Sequence, residues 1–246
     1  MMGTHHALCG AAAWVALTST APGFPAISAA PIAPEYVVMG AVLCAGAALL
    51  PDLDHPSATI AHAIPGVGRA ATGAISGLAG GHRRGTHSLL AAAGIVLLAS
   101  LPFTLPALLA GACGAALLAF ALRVLGLRGG WPAAWALGAA AALGIGALTP
   151  GLWALLGPIV LVGWITHLAG DILTRGGLPL LWPLRPRAPR ALRRVPVLRA
   201  LWLRSGNFAL PILGRTGSRR EWALLLPIGA YALIGICVNL PLIIGG

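Results

Sequence analysis

Three of the five acidic residues in this chain, Asp52, Asp54 and Asp171, lie close to histidines at the ends of apolar stretches. Carboxylates in apolar surroundings are costly and need partners, so these residues are candidates for a functional site. Carboxylate oxygens and imidazole nitrogens are both ligands for zinc and manganese. We therefore predict that they share a divalent metal ion, with zinc as the first expectation and manganese as the alternative.

The first polar string, residues 50–56, places Asp52 and Asp54 between Pro51 and Pro56. A proline restricts the residue before it to extended conformations, and in an extended or turn segment residues two apart can face the same way. Both carboxylates are therefore expected to converge on one site or to bridge two ions. A solvated turn at the end of an apolar segment is the alternative.

The second string contains His167 and Asp171, four residues apart. On a helix this spacing places both side chains on one face, one turn apart. Such a pair can bind one ion from a rigid element. A hydrogen bond within the helix is an equal alternative.

The third string, residues 81–88, reads Gly-His-Arg-Arg-Gly-Thr-His-Ser. His82 and His87 can bind metal, while Arg83 and Arg84 carry planar guanidinium groups suited to phosphate oxygens. This pattern predicts metal and phosphate chemistry in one short loop. A basic loop without ligands is the alternative.

Several polar residues near these strings have the pattern of helix caps. Thr86 or Ser88 is expected to cap the helix that follows the third string. Residues 218–221, Ser-Arg-Arg-Glu, have the form of a capping box before the last apolar segment, which accounts for Glu221. Glu221 remains an additional candidate for the metal site.

The other potential ligands carry less weight on their own. His5 and His6 are adjacent, and neighbouring side chains on a helix point about 100° apart, so only one of them would serve a site. His62 lies between apolar residues and is expected to be structural. Buried small side chains, without a disulfide or a thiolate site, are expected at Cys9, Cys44, Cys113 and Cys237.

The composition determines which elements must position these strings. Hydrophobic residues make up 58% of the chain and charged residues only 9%, whereas roughly a quarter of an average soluble domain is charged. The mean hydropathy is +0.89. The chain is therefore expected to be a polytopic membrane protein.

We predict a single all-α domain over residues 1–246, a transmembrane helical bundle with about seven membrane segments. Several segments are shorter than the roughly 20 residues that a perpendicular span needs, so some are expected to be re-entrant or packed inside the bundle. An Arg/Pro-rich connection is expected at about 175–221. The predicted spans are residues 6–21, 36–51, 88–104, 106–122, 131–149, 152–173 and 222–244.

The arginines predict the orientation of this bundle. All 16 basic residues are arginine, and they lie only in the connections after the second, fourth and sixth predicted spans. The positive-inside rule then places the N-terminus in the cytoplasm and the C-terminus outside. Every polar string would reach the cytoplasmic face.

The formal charge of +11 does not predict specific nucleic-acid binding. A basic surface attracts any polyanion, but these arginines lie in Pro-interleaved connections beside apolar spans. Contact with anionic lipid headgroups explains them, so membrane lipids are the expected partners. The sequence leaves the oligomeric state open.

The three strings together resemble the YdjM-like family. The residues that carry the resemblance are His6, the strings 50–56 and 81–88, and residues 167–174 with the following Gly177 and 178–183. Members are LexA-regulated bacterial inner-membrane proteins described as metal-dependent hydrolases. The resemblance covers most of the chain in order and spacing, and it implies a multi-pass protein of the bacterial inner membrane.

The resemblance implies a set of ligands. This loop departs slightly from the family's usual His-Arg-Gly-x-Thr-His-Ser, with Arg84 and Gly85 at the central positions, but both histidines are kept. His55 and His82 are alternates in this set, and Glu221 also lies in a segment similar to a family feature. The ligands implied are His6, Asp52, Asp54, His87, His167 and Asp171.

A more distant likeness suggests the reaction. The order of these residues is similar to that in zinc-dependent phospholipase C and related single-strand nucleases, although their later His-x-x-x-Glu pair is missing here. The hypothesis is a hydrolase of a phosphoester, such as a lipid, in which a divalent ion activates water. Asp54 would be the bridging ligand or general base, and Arg83 and Arg84 would stabilise phosphoryl charge.

Two functions of other classes remain as alternatives. A metal-ion transporter would use the same residues as a pathway, although that favours carboxylates deep within several spans. A non-catalytic membrane module would bind lipid or protein through the Arg-rich connection, with Arg193, Arg194 and Arg199 as its main contacts.

Overall fold

The computed structural model describes residues 1–100 and 106–244. Within these ranges strand-like pairing is limited to isolated bridges, such as Leu178 with Phe208. Short 3-10 turns, including Leu50–Asp54 and Gly85–His87, connect some of the helices. The helices are α1 (Gly3–Thr18), α2 (Pro34–Ala47), α3 (Val67–Ala79), α4 (Leu89–Ser100), α5 (Ala107–Val124), α6 (Gly130–Leu148), α7 (Leu156–Ile172), α8 (Pro196–Leu201) and α9 (Arg219–Ile244).

The all-helical membrane fold is confirmed. Each of the seven predicted spans coincides with a helix, although residues 101–104 of the third span and the connection at 105 lie outside the described residues. α1 has 16 residues, and α4 is a shorter apolar helix. Among described residues, five helical stretches are long and apolar enough to cross a membrane: Pro34–Asp54, Ala107–Val124, Gly130–Leu148, Pro150–Ile172 and Arg219–Ile243.

The connection after the second span contains a helix that the sequence analysis did not predict. α3 is built largely from glycine, alanine, serine and threonine, and its three large apolar residues, Val67, Ile75 and Leu78, are too few to predict a membrane span. Gly80 ends α3 with a positive φ of 79°, which glycine adopts without steric cost. The chain then turns directly into the 81–88 string.

The core of the bundle lies between α1, α2, α5, α6, α7 and α9. Small residues allow close approach of the helices, as is usual in membrane bundles. A Cβ added at Gly46 in α2 would lie 1.9 Å from the Leu117 carbonyl oxygen of α5. A Cβ at Gly163 in α7 would lie 2.7 Å from the Ala48 backbone nitrogen. These contacts fix α5 and α7 against α2, and α2 and α7 lead to the polar strings.

Gly46→Ala is expected to destabilise the protein by about 1–3 kcal/mol, because the added methyl group forces α2 and α5 apart. Gly73→Ala in α3 is the matched control, since no atom lies within 4 Å of a Cβ there. Thermal unfolding in detergent should show a lower midpoint for Gly46→Ala only. Equal midpoints for the two variants would contradict the close α2–α5 packing.

The four cysteines are free, as predicted. Cys44 is buried and Cys9 is half-buried. The expectation of burial is wrong for Cys113 and Cys237, which are exposed on α5 and α9. These two helices turn part of their surface outward, where a small apolar side chain suits lipid as well as it suits a protein core.

Candidate metal centre

Several helices begin or end at the same end of the bundle. α2 runs through the Leu50–Asp54 turn into the first polar string, and α7 ends just after Asp171. α1 begins next to His6, and α4 begins two residues after His87. Residues from four distant parts of the sequence therefore meet in one place.

Four ligand atoms come together here, and we name their residues Asp52, His87, His167 and Asp171 the central cluster. The Nε2 atoms of His87 and His167 are 3.1 Å apart. Asp52 Oδ1 lies 3.7 Å from each Nε2 atom. Asp171 Oδ2 lies 3.8 Å from the His87 atom and 3.9 Å from the His167 atom. A tetrahedral ion with bonds of 2.0–2.1 Å separates its ligand atoms by about 3.3 Å, so this spacing suits one ion.

An unpaired oxygen supports the same interpretation. Asp171 is 1% exposed, and its Oδ2 atom has no hydrogen-bond partner among the described residues. A buried carboxylate oxygen without a partner is strongly unfavourable. A cation between the four ligand atoms would satisfy it, so the residues of the central cluster fit a divalent metal ion.

Hydrogen bonds to the opposite ring nitrogens orient both histidines. His167 Nδ1 lies 2.7 Å from the Ala48 carbonyl oxygen and therefore donates its proton there. His87 Nδ1 lies 3.3 Å from Asp54 Oδ2 and 2.9 Å from the Thr86 hydroxyl. Both Nε2 atoms are thus left as potential metal ligands, the arrangement typical of histidine ligands in metalloproteins.

The surroundings of His87 also shift its affinity for protons. Burial lowers the pKa of His87, but hydrogen bonds and attraction from the Asp52 and Asp54 carboxylates outweigh burial and raise the pKa to about 9. Without a metal, the His87 imidazole is therefore protonated on both nitrogens and positively charged at neutral pH. Metal binding at its Nε2 atom would release that proton.

Asp54 is fully buried and accepts hydrogen bonds from the third string. His82 Nδ1 lies 2.8 Å from Oδ1, the Arg83 backbone N–H donates to Oδ2 at 3.1 Å, and the Thr86 hydroxyl also donates to Oδ2. These contacts fix the loop that carries His87. One ligand atom each from Asp52, Asp54, His82 and His87 lies within 4.8 Å of the others, a group that could hold a second ion.

His6 contributes from the start of α1. Its Nε2 atom lies 3.3 Å from Asp171 Oδ1, and its ring stacks on that of His167 with centroids 3.6 Å apart. Together with Asp52 and His167 it forms a third group of potential ligands within 4.8 Å. The neighbouring His5 points elsewhere, so only one of the two histidines faces the site, as predicted.

The two arginines of the third string have different positions. Arg83 Nη2 lies 2.7 Å from Asp171 Oδ1, and its Nη1 lies 3.3 Å from the Thr174 hydroxyl. The Met1 amino group also donates to Asp171 Oδ1. Arg84 is exposed. Arg83 thus belongs to the site, whereas Arg84 lies at the surface next to it.

His55 lies beside the site without joining any of the three ligand groups. Its Nδ1 atom accepts a hydrogen bond of 3.1 Å from the Ser57 backbone N–H, and its ring centroid is 4.1 Å from that of His82.

Of the two residues expected to cap α4, Ser88 does so, because its hydroxyl oxygen accepts the Ala91 backbone N–H at 3.2 Å. Thr86 instead binds Asp54.

Glu221 has two roles, of which the sequence analysis predicted one. Its backbone N–H donates to the Ser218 hydroxyl at 3.2 Å, as expected for a helix cap. Its side chain is fully buried and accepts from the Gly217 backbone N–H at 2.7 Å. The carboxylate also contacts His5 Nδ1 at 2.6 Å and the Met2 backbone N–H at 2.9 Å. Glu221 therefore joins α9 to the start of α1, which places His6 against Asp171.

Glu221→Ala is expected to destabilise the protein by several kcal/mol, because each buried donor left without an acceptor costs about 1–3 kcal/mol. Glu221→Gln keeps one acceptor oxygen, so its free energy of unfolding should fall by less. Thermal unfolding measures both, with Glu35→Gln at the start of α2 as the control for removal of a carboxylate charge. A Glu221→Ala midpoint equal to that of Glu35→Gln would contradict this anchoring role.

A polar cavity of about 180 Å³ lies next to the site at Asp52. Asp52 and His55 line this polar cavity, together with Leu49 and with Val124 of α5. The Asp52 carboxylate therefore forms part of both the central cluster and the wall of the polar cavity. Water and a polar substrate group can approach Asp52 from here.

Comparison with known proteins places the chain in a family. A family profile described as YdjM inner membrane protein matches residues 1–241. Inner membrane protein YdjM of Escherichia coli (strain K12) and of Shigella flexneri are each 29% identical to the chain over 163 residues. The aligned region covers 66% of this chain and 55% of each relative, little more than half of their length. No solved structure matches. The chain belongs to the YdjM family of inner membrane proteins.

Proposed function

We propose that this protein is a metal-dependent hydrolase that cleaves a phosphoester at one end of its membrane bundle. The observation that carries the proposal is the central cluster itself, in which Asp52 Oδ1 and Asp171 Oδ2 each lie 3.7–3.9 Å from two imidazole nitrogens that are 3.1 Å apart. Arg83 lies beside the cluster, and the polar cavity leads to Asp52. Ligands, a guanidinium group and an access route are thus combined in one place.

A divalent ion, zinc as the first expectation and manganese as the alternative, would supply Lewis acidity that polarises a phosphoryl oxygen and lowers the pKa of water. The protein's own groups perform the remaining tasks. A catalytic ion keeps one coordination position for water, and Asp52, on the wall of the polar cavity, is the ligand placed to give up that position and to accept the proton of the attacking water. The sequence analysis gave that role to Asp54, whose contacts with the third string support a positioning role.

The two arginines would handle the charge of the substrate. Arg83 can turn its guanidinium from Asp171 toward phosphoryl oxygens, which bind such planar donors well. Arg84 is exposed, so its contribution would be attraction of an anionic substrate at longer range. The arginine distribution along the sequence supports an orientation with this end of the bundle in the cytoplasm, with the N-terminus inside and the C-terminus outside.

Membrane lipids are the proposed partners of the segment between α7 and α9. Exposed arginines and exposed aliphatic side chains alternate there, among them Arg187, Val197 and Arg199. Such a surface suits anionic headgroups and the upper part of the acyl layer. The side chain of Arg193, which the sequence analysis grouped with these arginines, lies outside the described residues.

Ion transport is the principal alternative. A transport pathway favours carboxylates deep within several spans, whereas the central cluster lies where helices begin and end. This position favours chemistry at the membrane surface. Vesicles containing the protein and an internal metal-sensitive dye would report any transport directly.

A substrate screen tests the proposed hydrolysis. Zinc- or manganese-loaded protein in detergent is incubated with phosphomonoesters, phosphodiesters and phospholipids. We expect turnover of at least one class and a loss of at least about a thousandfold in Asp52→Ala and His167→Ala, as for other residues central to catalysis. His62→Ala is the matched control, because this histidine is exposed and belongs to no ligand group. Turnover that survives in Asp52→Ala, or metal-loaded protein that cleaves no phosphoester, would overturn the proposal.

A further inference from the structure

An apolar cavity of about 620 Å³ lies between α4, α5 and α7. We infer that it holds one hydrocarbon chain of an anionic phospholipid whose phosphoester reaches the central cluster. This inference rests on the proposed hydrolase function and names its substrate class. The volume lies within the roughly 300–1,000 Å³ typical of ligand pockets. Its lining includes Ile95, Leu98, Leu117, Phe120, Trp153 and Val160.

The apolar cavity adjoins the polar cavity at its inner end. Leu49 lines the polar cavity and Leu50, its neighbour, lines the apolar cavity. On α5, Phe120 lines the apolar cavity, and Val124, one helical turn further on, lines the polar cavity. A molecule with a polar group near Asp52 could therefore extend an apolar tail directly into the apolar cavity.

The length and direction of the apolar cavity suit a hydrocarbon chain. Its lining on α5 runs from Ala107 to Phe120, a rise of about 20 Å along the helix axis. α5 is one of the helical stretches able to cross a membrane. The apolar cavity thus extends along the direction of the lipid chains, starting one helical turn before Val124 of α5, which lines the polar cavity.

The chemistry of the lining excludes a polar occupant. Ordered water needs two to four polar partners, and aliphatic and aromatic side chains dominate this wall. In a membrane the surrounding solvent is itself hydrocarbon, so a lipid chain can enter from the side. Arg83, at the polar end, supplies positive charge for an anionic headgroup.

Photocrosslinking tests the occupant without requiring turnover. The protein is placed in phosphatidylethanolamine vesicles that contain phosphatidylglycerol with a diazirine near the end of one acyl chain. Ala116→Phe on α5 and Ala154→Phe before α7 each add a ring inside the apolar cavity. Ala140→Phe on the exposed surface of α6 is the matched control.

We expect wild-type adducts to concentrate on peptides that line the apolar cavity and to fall about tenfold in the two filled variants, because the ring leaves too little space for the chain. Ala140→Phe should label like wild type. Adducts spread over all lipid-facing helices, or labelling unchanged in both folded filled variants, would overturn the inference. If one filled variant fails to fold, the other decides.

This result is separate from the hydrolase proposal. Specific labelling of the apolar cavity in a protein that cleaves no phosphoester would leave the chain site standing and remove the proposed reaction. Hydrolysis of phosphoesters without specific labelling would keep the reaction and overturn the chain site.

Discussion

Asp171→Asn is expected to destabilise the metal-free protein by about 3 kcal/mol, the lower end of the range for loss of one partner from a buried ion pair. Asp171 is 1% exposed and meets Arg83 at 2.7 Å and His6 at 3.3 Å. The neutral amide of the Asp171→Asn variant leaves the positive charge of Arg83 without a negative partner. The lower end of the range applies because Arg83 itself is 21% exposed.

Thermal unfolding in detergent with a chelator present measures this effect. Glu35→Gln makes the same chemical change in the first turn of α2, away from the central cluster. Its midpoint should stay close to that of wild type. An Asp171→Asn midpoint as high as that of Glu35→Gln would show that Asp171 does not hold this end of the bundle together.

The second large effect concerns the metal ion. Zinc at 100 times its dissociation constant should raise the free energy of unfolding of wild-type protein by about 2.7 kcal/mol, because only the folded state brings the ligands together. His167→Ala should abolish this increase, since it removes one of the two Nε2 ligands 3.1 Å apart. Unfolding midpoints measured across a zinc titration give the result.

His62→Ala is the matched control for the zinc titration, because His62 is exposed and belongs to no ligand group. It should retain the full increase in stability. A zinc-dependent increase that persists in His167→Ala would place the ion elsewhere. No increase in wild type under any divalent metal would remove the metal centre from this account.

The sequence predicted the setting and most of the site for identifiable physical reasons. Long, continuous apolar segments favour helices in a membrane, because a helix satisfies its backbone hydrogen bonds within the segment. Helical spacing places His167 and Asp171 on one face, and their ligand atoms are indeed 3.9 Å apart, too far for the alternative hydrogen bond. Adjacent histidines diverge for the same reason, so His6 and His5 have different partners.

Other features depend on tertiary contacts that no local pattern encodes. Asp52 and Asp54 were expected to converge from an extended or turn segment, and the Leu50–Asp54 3-10 turn does place both near His87, Asp52 at Nε2 and Asp54 at Nδ1. Which ring nitrogen each carboxylate meets depends on the packed bundle. Asp52 faces the two Nε2 atoms, whereas Asp54 accepts from the third string. The exposure of Arg84 could not be separated from the partial burial of Arg83 either, because both have the same side-chain chemistry.

Two supporting groups were missed altogether. The Ala48 carbonyl oxygen orients His167, but a backbone group has no signature in a sequence. Thr174 contacts Arg83 and lies within the string 167–174, where its position three residues after Asp171 was the available signal. The Glu221 contact with His5 joins residues 216 positions apart and requires the packed bundle.

The most direct test of the metal centre is anomalous diffraction at the zinc absorption edge from crystals of zinc-loaded protein. A peak about 2.0–2.1 Å from the Nε2 atoms of both His87 and His167, with carboxylate oxygens of Asp52 and Asp171 completing the coordination, is the expected result. An ion bound elsewhere, or none between these four residues in fully loaded protein, would contradict the central claim.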